Sequence, residues 1–136
     1  MSEATIAAAF ALQVELSTRI ATRPLPEGQG LLSEAIGSLK ALFDAARAAI
    51  RELGSADRDD EVALLAGKLA ETLRPFLTEW QPRLDGHLST RPPGVGVLTH
   101  EQAWEHADAL RAELPGLQAT LSEVLDRLRE VTGSDL

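Results

Sequence analysis

The stretch from Leu31 to Leu53 reads LLSEAIGSLKALFDAARAAIREL. Within it Leu32, Ile36, Leu39, Phe43, Ala46, Ile50 and Leu53 recur at alternating steps of four and three residues. Residues spaced that way share one face of an α-helix. An unbroken seam of this kind predicts a helix packed at a shallow angle against its neighbours. Gly54 follows at once and is the expected stop, because glycine accepts the left-handed conformation that closes many helices.

Toward the N-terminus, the loop Arg23-Pro24-Leu25-Pro26-Glu27-Gly28-Gln29-Gly30 separates this segment from an earlier one, about Glu3 to Thr22. Two prolines disfavour a continuing helix and two glycines permit turns. The first segment is rich in the strong helix formers Ala and Leu. From Ala4 to Leu12 it carries no charge on any face. A helix apolar all round is buried on most sides or meets a partner.

Toward the C-terminus, a third segment begins in the acidic cluster Asp57, Asp59, Asp60 and Glu61, which suits the positive end of a helix dipole. Its stripe is Val62, Leu65, Leu69, Leu73, Phe76, Trp80 and Leu84, interrupted by Pro75 and Pro82. An interior proline removes a backbone donor and costs about 3 kcal/mol. A kinked helix to about Glu79 is expected, then looser helix or turns to about Leu88. After the loop Ser89 to Leu98, Thr99 and Gln102 form a capping-box pattern that opens a fourth segment. Its seam, Ala103, Ala107, Leu110, Leu114, Leu117, Leu121, Val124, Leu128 and Val131, keeps phase across Pro115-Gly116. That predicts one long helix, kinked at Pro115 and ended by Gly133. With no strand-like alternation, the fold class is all-α. The expected architecture is a four-helix bundle, mostly antiparallel, forming a single domain over residues 1–136.

Several strings in these segments occur together: Val14-Glu15-Leu16-Ser17-Thr18-Arg19-Ile20, then Leu73 to Leu84 (LRPFLTEWQPRL), then Trp104 with Leu110-Arg111. Over most of the chain they resemble an uncharacterised group of small all-helical proteins common in actinobacteria. A His is expected after the Trp in that group, where this chain has Gln81, which counts against chemistry at that position. The resemblance implies the fold and a bacterial origin, with a loose link to conflict or defence systems.

Composition narrows the function classes. The chain has 21 acidic against 13 basic residues, a net charge of -8, so contacts with nucleic acid or anionic membrane are not expected. It has no cysteine, hence no disulfide or thiolate metal site, which suits a cytoplasmic setting. No uncharged stretch approaches the roughly 20 residues of a membrane span. The acidic start Met1-Ser2-Glu3 lacks the basic region of a signal peptide.

Catalytic patterns are also missing. Three histidines, His87, His100 and His106, have no Glu at the spacing that a helical di-metal site needs, so solvated or capping roles are expected and no metal or cofactor. Counting from Asp57, the sixth and twelfth positions are Val62 and Lys68, not the Gly and Glu of a calcium loop. Gly94-Val95-Gly96 lacks the strand and Lys-Ser/Thr of a phosphate loop.

The candidates for binding are charged and aromatic. Glu15, Arg19 and Arg23 lie four apart on one helix face, in the favourable Glu-before-Arg order. Arg74 adjoins Pro75, and Arg111 stands four before Pro115, so each could serve carbonyls that the prolines release. These groups read as surface pairs, as a partly buried pair fixing helix order, or as a ligand or partner site. Trp80 and Trp104 fall on or beside apolar stripes, which favours core packing, while a kink at Pro82 would expose Trp80 as an anchor. The functional expectation is a non-catalytic protein–protein interaction module, a small subunit or self-associating partner in a larger bacterial assembly. The alternative is a small-molecule sensor with a cavity at the kinks, suited to an apolar anion. The partner- or ligand-binding candidates are Glu15, Arg19, Arg74, Trp80, Trp104 and Arg111.

Overall fold

The computed structural model describes residues 2–26, 28–54 and 60–136. Among them the fold is entirely helical. Helix α1 spans Glu3–Thr18, α2 Leu32–Leu53, α3 Glu61–Leu88, α4 Val97–Gln102 and α5 Ala107–Thr132, with a 3-10 turn at Ile20–Thr22. Helix α2 packs along α3 and also against α1, while α5 packs against α1 and α3. No helix is long and apolar enough to cross a membrane among the described residues.

The first segment ends earlier than the sequence suggested. Ser17 and Thr18 turn their hydroxyls back onto the Val14 carbonyl, at 3.3 and 2.6 Å. Such side-chain bonds compete with the helical ladder. Arg19 is then extended, its N–H still bonded to the Glu15 carbonyl, and a 3-10 turn follows. At the start of the same helix the Ser2 hydroxyl caps the Thr5 N–H.

Helix α2 has the expected bounds, and Gly54 closes it at φ +64° with its N–H on the Ile50 carbonyl. Its buried face is wider than the seam. Ala35, Leu42 and Ala49 are buried as well, because α2 has neighbours on two sides, α1 and α3. Phe43 is only half-buried and Ile50 is exposed at the edge of this widened face.

The third segment is one continuous helix to Leu88, the helical of the two outcomes expected after Glu79. Pro75, Pro82 and Pro115 all lie on exposed positions. The carbonyls they deprive of a donor, those of Glu71, Thr78 and Arg111, belong to the solvent side, where water is a substitute partner. The stripe therefore stays inside: Val62, Leu69, Leu73, Trp80 and Leu84 are buried, with Leu65 and Phe76 partly so. Asp60 caps α3 through the N–H groups of Val62 and Ala63, at 2.8 and 3.3 Å. The other members of the acidic cluster's first half, Asp57 and Asp59, lie outside the described residues. Arg127 of α5 bridges Glu61 and Glu130. The hydrogen bond and charge of Glu61 raise its pKa above the ordinary arginine value.

The fourth segment is where the seam misled. Thr99 lies inside the short helix α4, whose N-cap is Gly96, so the Thr99–Gln102 capping box is not formed. The chain then turns at residues 103–106 before α5 begins. Ala103 is exposed, and Trp104 takes the inward position instead. From Ala107 onward the seam holds: Leu110, Leu114, Leu117, Leu121, Val124 and Leu128 are buried across Pro115. Gly133 closes α5 at φ +72°.

Candidate functional site

The short helix α4 and the first half of α5 carry polar side chains that reach back to the connection between α1 and α2. Helix α2 starts at Leu31-Leu32, and Leu31, its N-cap, has no side chain that can accept a hydrogen bond. Glu101 of α4 supplies the cap instead. One carboxylate oxygen accepts the Leu32 N–H at 2.6 Å and the other the Ser33 N–H at 3.1 Å. Glu101 is 1% exposed. A buried carboxylate is costly unless fully hydrogen-bonded, and the positive end of a helix is a favourable place for it.

Three more side chains secure the same connection. Arg111 donates to the Gly30 carbonyl at 2.5 Å, and Gln118 donates to the carbonyls of Ala21 and Arg23 at 2.9 and 2.7 Å. Gln102 reaches the Gly28 carbonyl at 3.3 Å. Gly30 is tightly placed, since a Cβ there would lie 3.0 Å from Leu25 side-chain atoms. Arg111 thus serves a carbonyl distant in sequence, not one released by Pro115.

An aromatic cluster joins α3 to the turn after α4. Trp80 and Trp104 meet edge to face with centroids 6.1 Å apart. They are 3% and 8% exposed, so Trp80 is a core residue and does not stand open beside Pro82. The Trp80 indole N–H is buried without a hydrogen-bond partner, and the Arg83 guanidinium lies 5.0 Å from its ring centroid.

Two histidines extend the cluster, and of the solvated or capping roles expected for them they take one that serves backbone carbonyls. His87 and His100 stack at 3.9 Å between centroids, nearly parallel. The ring Nε2 of each lies 2.7 Å from the other's backbone carbonyl, so each Nε2 carries the donated proton. Trp104 lies 5.6 Å from His87 and 5.5 Å from His106. The signal for this pair was weak in the sequence, because thirteen residues and a loop separate its members.

The remaining candidates lie apart from this cluster. Glu15 and Arg19 pair at 2.6 Å, with side chains 32% and 34% exposed. Both belong to the same turn of chain, so their pair does not fix the order of helices, and such a pair is worth only tenths of a kcal/mol. Arg74 is exposed in a groove between α2 and α3. Its carbonyl accepts the Thr78 hydroxyl at 2.8 Å. Among the described residues, no group of three or more His, Asp and Glu side chains is placed to hold a metal ion.

The outward face of α1 carries apolar side chains without a covering element among the described residues. Ile6 and Phe10 are 42% and 44% exposed, and Ala4, Ala7 and Ala11 are exposed beside them. A shallow groove continues this surface toward α2, where Ala8 and Ala11 meet Ala45 and Ala48, with Glu15 and Glu52 at its edges. Comparison with family models, with curated proteins and with solved structures gives no match to this chain.

Proposed function

We propose that the protein is a non-catalytic helical module that binds another protein through the outward face of α1. The observation that carries this reading is the pair Ile6 and Phe10, each more than 40% exposed on a helix with no charge between Glu3 and Glu15. Large apolar side chains left in water at i and i+4 are the pattern by which one helix engages another. The proposed architecture is a mostly antiparallel bundle of the four long helices α1, α2, α3 and α5. Helices α3 and α5 are kinked at Pro75 and Pro115, and α4 is a short insert.

The partner is a helix whose apolar stripe is bordered by Lys or Arg. Glu3, Glu15 and Glu52 edge the surface, and the chain carries a net charge of -8, so a second copy would bring like charges together. The proposed role is that of a small subunit of a larger bacterial assembly, of the conflict or defence kind, in the cytoplasm.

The test uses an amphipathic helical peptide with a leucine stripe flanked by lysines, and a control with glutamates at the flanking positions. The lysine peptide should bind and the glutamate peptide should not. The double variant Ile6→Ser, Phe10→Ser should weaken binding by about a hundredfold, since each buried side chain contributes on the order of 1.5 kcal/mol. Equal binding by parent and variant would remove the proposal. A dimer in light scattering that Phe10→Ser converts to monomer would replace the hetero-partner by a second copy.

A further inference from the structure

We infer a second site, a shallow groove between α2 and α3 that accepts a small amphipathic carboxylate, with an aryl or alkyl body on Phe43, Leu77 and Pro82 and its anionic head between Arg74 and Lys40. The groove is open to solvent, offers about 380 Å³ and is lined by Lys40, Phe43, Arg74, Leu77, Thr78, Gln81 and Pro82. It is independent of α1 and stands whether or not α1 binds a partner.

Charge carries the inference. The chain as a whole is strongly acidic, yet the two charged residues that line this groove, Lys40 and Arg74, are both cationic. Lys40 Nζ lies 5.4 Å from the centroid of the Phe43 ring, and Arg74 stands on the opposite helix; Arg47, outside the lining, places its guanidinium 5.7 Å from the same ring. Lys40 is paired with Asp44 at 2.8 Å. Among the described residues, no carboxylate pairs with Arg47 or Arg74. A guanidinium with its fork open presents a planar donor pair that matches a carboxylate.

The floor supplies the second half of the recognition. Phe43 is half-buried, Leu77 is buried and Pro82 is an exposed apolar residue of the lining. Gln81 adds an amide donor to the lining. Apolar floor with a few convergent donors is the general composition of a ligand site. A neutral apolar molecule would leave the donors unused, and a multiply charged small anion would leave the floor in water.

The probe pair is 4-phenylbutyrate and 4-phenyl-1-butanol, followed by amide chemical shifts in the full chain. The carboxylate should bind with a Kd on the order of 1 mM, as expected for about twelve non-hydrogen atoms on an open surface. Its shifts should centre on Lys40 to Asp44 and Arg74 to Pro82, and the alcohol should bind at least about threefold more weakly. Arg74→Gln should reduce affinity about threefold to fivefold, within the range for an exposed ion pair. The position is exposed, so the variant keeps the fold. Phe43→Ala should abolish saturation, and Phe10→Ser on α1 should leave the Kd unchanged. Equal binding of acid and alcohol, shifts centred on α1, an unchanged Kd in Arg74→Gln, or no binding at 10-fold the expected Kd would each overturn the site.

Discussion

Replacing Glu101 tests whether the buried carboxylate on the start of α2 is a principal tie between the two halves of the chain. In Glu101→Gln one oxygen remains to accept the Leu32 N–H, now at 2.6 Å, while the amide nitrogen faces the Ser33 N–H across 3.1 Å. One hydrogen bond is lost and the other falls from charge-assisted to neutral strength, roughly half. With the lost attraction between the carboxylate and the helix dipole, the cost is about 2 to 3 kcal/mol. In Glu101→Ala both N–H groups lose their partner at a site 1% exposed, which raises the cost to about 3 to 5 kcal/mol. For 136 residues the unfolding entropy is about 0.29 kcal/mol per degree, so the glutamine variant should melt about 7 to 10 °C lower. Thermal unfolding followed by circular dichroism at 222 nm, with urea unfolding for the free energy, reads both. Glu113→Gln, an exposed change on α5, is the control and should move stability by less than about 0.5 kcal/mol. A melting midpoint of Glu101→Ala within about 2 °C of the parent would refute the reasoning, because no account of two orphaned buried donors permits so small a loss.

Other substitutions have distinct signs. Gln118→Leu keeps the buried volume but strands the carbonyls of Ala21 and Arg23, and should cost about 1 to 3 kcal/mol in urea unfolding. Trp80→Phe removes a buried indole N–H that has no partner, so relief of that donor offsets the lost ring area and the change should stay under about 1.5 kcal/mol; Trp80→Ala should cost about 3 to 5 kcal/mol. His87→Phe preserves a flat ring against His100 but loses the bond to its carbonyl, and should lower stability by about 1 kcal/mol in the same assay. Arg19→Ala breaks a pair already a third exposed, and a change above about 1 kcal/mol would contradict its description as a surface pair.

The helices were legible because their evidence is local. Leu32 to Leu53 declares its period, its glycine stop and its length without reference to any other part of the chain. The same holds for Ala107 to Leu128, where an exposed Pro115 leaves the buried stripe intact. Errors arose where a residue from elsewhere decided the outcome. Ala103 extended the seam on paper, yet Trp104 had Trp80 and His87 to pack against, and the chain turned to bury the larger side chain. Ile50 fitted the period but sits at the edge of a face widened by contact with two helices.

The polar interior was the least legible part. Glu101, Gln118, Gln13 and His100 are all buried, and nothing in their local sequence distinguishes them from surface residues. Their partners lie far along the chain, as with Gln13, which donates to the carbonyls of Ser134 and Leu136 and accepts from Thr132. One clue was present in negative form. A helix opening on Leu31-Leu32 has no local cap, and a helix end without one needs an acceptor from another element. Among the candidate site residues, Arg74 and Arg111 looked alike in sequence, each near a proline. The first lines an open groove and the second is spent on Gly30.

The side chains that grip the α1–α2 connection come from residues 101, 102, 111 and 118, at separations of 68 to 97 positions from what they hold. During synthesis the first two helices therefore leave the ribosome with their link ungripped and the opening amides of the second helix served only by water. The C-terminal third works as a late-arriving latch. A nascent chain stalled before residue 101 should be the form most open to proteases at Ala21 to Gly30, and the form on which a chaperone has most to hold.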